Sequence, residues 1–180
     1  MAINITGDSF LYNGVDMYEL ARLRIIGRDV FTAPLRPRKI HIPNRSGAYD
    51  QGAKYHDERT LTLECNIDGE ITDRQFDELK YQLSRKGRII LWDKPDRYYY
   101  GQAYDFGEVE DFFNHEIRQF DLVFVCDPYA YALEPTVVQT TQNVYQPHYI
   151  GTRETPTRIT LRNKGTLPMQ NIIITTRNRK

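Results

Sequence analysis

Only two residues of this 180-residue chain are cysteines, and Cys65 and Cys126 belong to no CxxC pair or cluster. Disulfide scaffolds and structural zinc sites need several cysteines at short spacing, so the sequence excludes both classes. Each cysteine lies inside an apolar, strand-like pattern. We therefore predict two reduced core thiols in a protein that folds in a reducing cytoplasm.

Long apolar runs are also missing, since no stretch approaches the about 18 residues that a membrane-spanning helix requires. The first eight residues, Met-Ala-Ile-Asn-Ile-Thr-Gly-Asp, contain neither the basic region nor the apolar core of a secretory signal. The sequence predicts no membrane contact and a protein that stays soluble where it is made.

Catalytic motifs are lacking as well. The four histidines, at positions 41, 56, 115 and 148, share no metal-ligand or triad spacing. Glycines occur singly at turns, which excludes a P-loop and a GxGxxG motif, and no serine lies in a nucleophile elbow. We predict no enzymatic activity, no metal and no cofactor.

Charge is balanced overall, with 24 basic and 24 acidic residues, but it is unevenly distributed along the chain. Residues 1–150 contain 17 basic and 23 acidic side chains, a balance of −6, whereas residues 151–180 contain 7 and 1, a balance of +6. This asymmetry indicates two segments with different surroundings. Basic residues interleaved with Thr and Ile are more typical of a solvated strand face than of a nucleic-acid site.

One helix is predicted after Thr72. Thr72 and Gln75 fit a capping box, and an apolar stripe follows with the spacing of one helix face: Phe76, Leu79 and Leu83. We expect Gly87 to end this helix in the left-handed conformation. The strands at 88–92 and 97–104 come next and should form a hairpin packed on the helix.

The rest of the chain is rich in strand patterns. Asn13-Gly14 predicts a type I′ hairpin turn, and alternation over 59–67 predicts a half-buried antiparallel strand. Apolar residues on both faces of 116–126 predict a central strand. Further strands are expected at 10–12, 15–18, 23–26, 39–42, 157–161 and 172–175. The predicted fold class is mainly β, a β-sandwich with one α-helix and a β-hairpin, followed by a partial second β domain.

Two groups of side chains are candidates for function. The first is a patch of carboxylates around Gly107, which without EF-hand spacing favours a solvated turn over a metal site: Asp105, Glu108, Glu110 and Asp111. The second is the aromatic load of thirteen tyrosines, eight phenylalanines and one tryptophan, concentrated around 98–104 and 129–131. These aromatics are compatible with a protein interface, with cross-strand packing or with sugar stacking.

The order of several motifs over residues 1–132 resembles the distal tail (Dit) proteins of siphophages and prophages of Gram-positive bacteria. They are an aromatic-Asn-Gly hairpin at 10–14, Ile-Pro-Asn-Arg-Ser-Gly at 42–47, the strand from Arg59, Leu-Trp-Asp-Lys-Pro-Asp-Arg-Tyr-Tyr at 91–99 and Phe-Val-Cys-Asp-Pro-Tyr-Ala-Tyr at 124–131. The remainder is similar to the beginning of the family's galectin-like domain.

The resemblance implies a structural protein of the virion tail tip, made in the cytoplasm of the bacterial host. Residues 1–132 would form a homo-hexameric ring, residues 133–150 a linker and residues 151–180 a partial galectin-like segment. The ring would join the tail tube protein to the tail-associated protein and to receptor-binding or baseplate proteins. DNA would pass through its lumen without specific binding.

The resemblance also suggests where the contacts lie. Ring contacts are expected in the loop Pro43, Asn44, Arg45, Ser46 and Gly47 and in the hairpin residues Trp92, Tyr98 and Tyr100. The acidic patch, Asp105, Glu108, Glu110 and Asp111, is the expected lining of the DNA lumen, because negative charge repels phosphate. The alternative is a carbohydrate-binding module that uses Trp92, Tyr98 or Tyr100 as a stacking platform.

Overall fold

The structure is a computed structural model that describes residues 5–30, 32–44, 46–50, 55–106, 110–112, 117–142, 144–146, 148, 151–153, 155, 157–168 and 170–175. Side chains are described at these positions except 50, 110–112 and 117. The chain divides into two compact units, Met1–Thr136 and Val137–Lys180. The helices and strands of the described residues lie in the first unit.

Eleven strands and two helices make up the described part of this unit, and they follow one another along the chain as β1 (Phe10–Tyr12), β2 (Val15–Asp16), α1 (Met17–Ala21), β3 (Leu23–Val30), β4 (Lys39–His41), β5 (Ala48–Asp50), β6 (Arg59–Asp68), α2 (Asp73–Leu83), β7 (Gly87–Leu91), β8 (Arg97–Phe106), β9 (Glu110–Phe112), β10 (Ile117–Cys126) and β11 (Tyr131–Ala132). The predicted mainly β class, with one main helix, is confirmed. None of the described helices is long and apolar enough to cross a membrane.

Nine strands form one antiparallel sheet with the order β2-β1-β7-β8-β10-β6-β3, to which β11 adds beside β8 and β9 beside β10. The sheet curls so that β3, at one end, approaches the segment before β1, near the other end, where the N–H of Ile25 donates to the carbonyl of Asp8 at 2.6 Å. The two faces of the predicted sandwich are therefore parts of a single continuous sheet.

The core lies inside this curl. The rings of Phe10 on β1 and Phe124 on β10 meet edge to face with their centroids 6.0 Å apart. In the sheet order β7 and β8 separate these strands, so a flat sheet would hold them about 14 Å apart at the usual strand spacing. The contact between Phe10 and Phe124 thus connects opposite sides of the curled sheet across its interior.

The first hairpin forms as predicted. Tyr12 pairs with Val15, and Asn13 and Gly14 adopt φ angles of 52° and 85°, as a type I′ turn requires. The strand predicted at 15–18 is wrong beyond Asp16, because α1 begins at Met17. The carboxylate of Asp16 caps this helix by accepting from the N–H of Tyr18 at 2.8 Å, and that cap overrides the β pattern.

Helix α2 begins with the predicted capping box. Thr72 accepts from the N–H of Gln75 at 3.3 Å, and the Gln75 side chain accepts from the N–H of Thr72 at 3.0 Å. Leu79 and Leu83 are buried in the core.

The prediction that Gly87 ends this helix is wrong, because the helix ends at Leu83 with Ser84 as its C-cap, and Gly87 opens β7. A side chain at position 87 would collide with that of Asn13, so close approach explains this glycine.

The central position predicted for the strand at 116–126 is confirmed, since β10 pairs with β8 on one side and β6 on the other. The strands predicted at 157–161 and 172–175 are not formed, and the described residues there have no strand or helix structure. Two strands alone bury too little apolar surface to hold together, and Ile159, Leu161 and Ile173 remain 49%, 52% and 87% exposed. The predicted division into a linker and a galectin-like segment remains a prediction.

Candidate functional site

The loop predicted at Pro43–Gly47 joins β4 to β5, which form a two-stranded sheet separate from the main one. Pro43, Asn44, Ser46 and Gly47 are exposed, and Arg45 lies outside the described residues. Asn44 and Gly47 adopt positive φ angles of 62° and 86°, which allow the chain to reverse.

The strands on both sides of this loop are exposed too. We define residues 38–49 as the basic arm, because they contain Arg38, Lys39 and Arg45; Asp50, which ends β5, stands opposite Lys39 at its base. Ile40 pairs with Tyr49 across the hairpin. A two-stranded hairpin with all its described side chains exposed buries little of its own apolar surface. The arm therefore offers apolar and cationic groups for contact with another molecule.

Trp92 directly follows β7 and is half-buried against the core cluster. The guanidinium of Arg28 lies over its ring, 5.3 Å from the centroid, and donates to the carboxylate of Asp93 at 2.6 Å. One face of the indole is thus covered by a residue of the same chain, and Arg28 joins the end of β7 to β3.

Tyr98 and Tyr100 point outward from β8 while Tyr99, 2% exposed, points into the core. Tyr98 lies between the Tyr131 ring, stacked at 5.3 Å, and the Arg88 guanidinium, 4.8 Å from its centroid. Tyr100 is 37% exposed. Sequence reasoning missed the role of Tyr131, because a two-residue strand such as β11 leaves no periodic signal.

We call Tyr98, Tyr100 and Tyr131 the aromatic row. A second set of contacts holds two of its members, Tyr100 and Tyr131, in place. The ammonium of Lys86 lies 5.1 Å from the centroid of the Tyr100 ring and 3.6 Å from the carboxylate of Asp127. Tyr131 donates its hydroxyl proton to the same carboxylate at 3.1 Å, and burial together with this hydrogen bond raises the pKa of Tyr131. The row is therefore held together by its own chain's charges.

The predicted acidic patch is not a simple loop. Asp105 is exposed near the end of β8, and Glu110 and Asp111 belong to β9, which pairs with β10. Glu108 lies outside the described residues, as do the side chains of Glu110 and Asp111. The structure thus places Asp105 and the backbone of Glu110 and Asp111 on neighbouring strands, β8 and β9, that both border β10.

A second group of carboxylates lies on the outward face of β3, β6 and β10, and sequence reasoning did not single it out. Asp121 stands directly opposite Glu64, and Glu64 stands directly opposite Gly27. Asp29 lies two residues after Gly27 on β3, so it shares the same face of the sheet. We call Asp29, Glu64 and Asp121 the acidic face. All three are exposed, and none forms an ion pair with a described residue. The alternation of apolar and polar residues in β6 was enough to place Glu64 on the outward face. Only the register of β6 with β3 and β10 shows that Asp29, Glu64 and Asp121 lie close together.

The ionisable groups of the core are held in their neutral forms. Cys65 and Cys126 are free and buried, as predicted, and burial raises the pKa of both thiols, that of Cys126 to about 12. A thiol with a raised pKa carries little of the reactive thiolate at neutral pH.

Two further features bear on binding and chemistry. No group of three or more His, Cys, Asp or Glu side chains within the described ranges is arranged to hold a metal ion. A shallow, open depression is lined by Glu58, Lys86, Gln102 and Tyr104 among others. Its open shape gives a bound molecule little enclosure, whereas small-molecule sites usually bury most of their ligand.

No protein-family model and no curated protein sequence matches this chain. Solved structures do match, and one of them is the crystal structure of the SPP1 Dit (gp 19.1) protein, described as a paradigm of the hub adsorption apparatus in phages that infect Gram-positive bacteria. The match has 21% sequence identity and a TM-score of 0.56, and it covers 69% of this chain. It covers 51% of the SPP1 protein, so this chain spans about half of that length. The two chains share a fold.

Proposed function

We propose that this chain is a structural subunit of a phage tail tip, a Dit-like hub protein that assembles into a homo-hexameric ring. The ring connects the tail tube protein to the tail-associated protein and to receptor-binding or baseplate proteins. The observation that carries the proposal is the shared fold with the SPP1 hub protein. The exposed basic arm supports it, because an apolar, cationic projection of this kind is suited to assembly.

Ring contacts are assigned to both predicted surfaces. The loop from Pro43 to Gly47 lies at the tip of the basic arm, where it is free to reach a neighbouring subunit. Tyr100 is 37% exposed. By contrast, Arg28 lies over the Trp92 ring, and Arg88 and Tyr131 lie against the Tyr98 ring. We expect Trp92 and Tyr98 to support the contact surface from beneath and Tyr100 to make contact.

The lumen of the ring is assigned to Asp105, Glu108, Glu110 and Asp111. A row of carboxylates repels the DNA phosphates and releases no counterions on contact, so DNA slides past without binding. Replacing Asp105 and Asp111 by lysine in assembled virions should slow DNA ejection. Ejection at the wild-type rate would remove these residues from the lumen.

The carbohydrate-binding alternative needs an aromatic ring with a free face. Arg28 covers a face of Trp92, and Tyr98 has Tyr131 on one side and Arg88 over its ring. These contacts favour a structural role for both rings over stacking on a sugar.

The test of the proposed function is the solution mass, measured by light scattering across a concentration series, with negative-stain images of the largest species. We expect six-fold rings with an open centre. A monomer at every concentration that also binds glycans would replace the hub proposal with the carbohydrate-binding one.

A further inference from the structure

Two arginines lie on the inner face of the curled sheet, near one of its ends. Arg28 on β3 pairs with Leu63, and Arg59, the first residue of β6, pairs with Cys126. Leu63 and Cys126 are buried in the core. Since residues that stand opposite each other on neighbouring strands share a face, both arginine side chains belong to the apolar side of the sheet.

Each of these guanidinium groups lies over an aromatic ring. That of Arg28 is 5.3 Å from the centroid of Trp92, and that of Arg59 is 5.4 Å from the centroid of Tyr99 on β8. Tyr99 is a ring of the core, and Arg59 itself is half-buried. The attraction between a cation and a ring face holds both groups in place. The two sites are therefore built alike.

The two sites differ in their carboxylates. Arg28 donates to Asp93 through both terminal nitrogens, so this pair is bidentate. Arg59 forms no hydrogen bond or ion pair with a described residue, although its Nε is enclosed by the protein. Because arginine keeps its charge, a guanidinium that is partly withdrawn from water without an acceptor destabilises the fold.

The carboxylate that directly follows Cys126 is engaged by other groups. Asp127 accepts from the hydroxyl of Tyr131 and pairs with Lys86 at 3.6 Å. Burial raises the pKa of the Cys126 thiol to about 12, and the positive charges of Arg59 and Lys86 act against this rise. The charge of Arg59 therefore acts on a group of the core.

We propose that Arg59 is a binding site for a carboxylate group from outside this chain. The terminal nitrogens of a guanidinium form a planar fork that matches the two oxygens of a carboxylate. The bidentate pair of Arg28 with Asp93 beside Trp92 shows the arrangement that a bound carboxylate would complete beside Tyr99. The site follows from the contacts of Arg59 and does not rest on the proposed function.

Charge and surroundings define the ligand. One guanidinium neutralises the single charge of a carboxylate, whereas a phosphate group carries about −1.5 to −2 at neutral pH. The ring of Tyr129, 37% exposed, meets that of His56, three residues before Arg59, with the centroids 5.6 Å apart. The carboxylate belongs either to a free carboxylic acid or to an acidic side chain of another protein molecule. A side chain with apolar neighbours would also contact Tyr129 and bind more tightly.

Melting temperatures of the full chain test whether Arg59 has a partner within it. Arg59→Met keeps an apolar side chain over the ring and removes the charge, so it should raise the melting temperature by about 3–6 °C. Arg28→Met leaves Asp93 without its partner and should lower the melting temperature by at least about 3 °C. Arg85→Met removes an exposed guanidinium that also lies over a tyrosine ring, and this control should stay within about 2 °C of wild type.

Binding is measured by NMR through the Nε–Hε resonance of Arg59, whose exchange with water is slowed because Nε is enclosed. Sodium acetate should shift this resonance saturably, with half-saturation on the order of 10–100 mM, and sodium chloride at equal ionic strength should not. Acetate should also raise the melting temperature of wild type but not that of Arg59→Met, because a ligand stabilises only the form that binds it.

A blocked tripeptide, Leu-Glu-Leu, distinguishes the two sources of the carboxylate, with Leu-Gln-Leu as its uncharged control. Binding of Leu-Glu-Leu at least about tenfold tighter than acetate would support a protein side chain as the ligand. Equal affinities of the two would support a free carboxylic acid.

Three results would overturn the site. They are equal shifts with acetate and chloride, tighter binding of inorganic phosphate than of acetate, and a melting temperature of Arg59→Met that falls as far as that of Arg28→Met. The last result would reveal a partner for Arg59 within its own chain. None of these measurements depends on ring formation, so the hub function is tested separately by the solution mass.

Discussion

Tyr12 is a fully buried side chain that joins three parts of the fold. Its hydroxyl on β1 donates to the carbonyl of Gly101 on β8 at 3.2 Å and also contacts the carbonyl of Arg85 after α2. Burial is the main reason that the pKa of Tyr12 rises from 10.0 to about 12. We expect Tyr12→Phe to lower the free energy of unfolding at neutral pH by about 1–3 kcal/mol, because it removes the buried hydrogen bond to the Gly101 carbonyl and the contact with the Arg85 carbonyl.

The raised pKa also predicts a pH dependence. In the unfolded chain Tyr12 loses its proton near pH 10, whereas in the folded protein it does so near pH 12. The stabilisation is therefore complete below pH 10 and falls as the pH rises towards 12. Urea unfolding of Tyr12→Phe should show a shallower loss over this window than wild type. Tyr104→Phe, at an 83% exposed position, is the control, and an equally steep loss in both variants would contradict the assignment.

Gly101 is a glycine at which an added side chain would meet backbone atoms. A Cβ there would lie 2.5 Å from the Sγ of Cys126 and 2.5 Å from the carbonyl oxygen of Val125. Because backbone atoms of β10 cannot move without breaking the sheet, Gly101→Ala should cost at least about 1–3 kcal/mol of unfolding free energy. Gly27→Ala is the control, since only the flexible end of Glu64 stands in its way. Equal melting temperatures for the two variants would contradict this.

At the scale of elements, the capping box of α2 stabilises both the start of this helix and its contact with α1. Gln75 caps Thr72 and also donates from Nε2 to the carbonyl of Leu20 in α1 at 3.4 Å. Thr72→Ala should cost about 1 kcal/mol of unfolding free energy. Thr72→Ala and Gln75→Ala together should cost less than the sum of the single changes, because each removes the other's partner. Strict additivity in denaturant unfolding would mean that the box does not form, and Asp77→Ala serves as the exposed control.

Elements with local signals could be predicted from the sequence. The turn at Asn13 and Gly14, the cap at Thr72 and the two-sided apolar pattern of β10 each depend on neighbouring residues, and all three are confirmed. Helix α1 was missed because five residues give too short a pattern to compete with a strand reading. Residues 157–161 have the alternating pattern of a strand. They form no strand, because no neighbouring strand is present among the described residues to pair with them.

At the scale of the whole molecule, the surfaces depend on contacts that no local pattern contains. The curl of the sheet depends on Ile25 meeting Asp8, and the acidic face depends on the register that sets Asp121 opposite Glu64. Composition showed only that the charge was uneven. The aromatic residues were compatible with an interface, with cross-strand packing or with sugar stacking, and partners such as Tyr131 for Tyr98 became evident only from the fold.

The division of the chain predicts which part carries folding and assembly. The buried cluster runs from Phe10 to Cys126, and both the basic arm and the acidic face lie within the first unit, Met1–Thr136. Residues 137–180 contain no helix or strand at their described positions and carry a charge of +6. A chain that ends at Thr136 should therefore unfold cooperatively, with a melting temperature within about 3 °C of the full chain, because it keeps every residue of the core.

The same truncation separates two origins of self-association. If the proposed ring contacts, which all lie in the first unit, hold the subunits together, the chain ending at Thr136 should associate as strongly as the full chain, although its net charge falls from zero to −6. If instead the basic C-terminal unit held acidic neighbours together, truncation would abolish association at low salt. Sedimentation velocity of both chains at about 50 and about 500 mM salt distinguishes the two, because exposed charges are strongly screened at the higher concentration. Retained association that weakens with salt would locate the charged contact within residues 1–136.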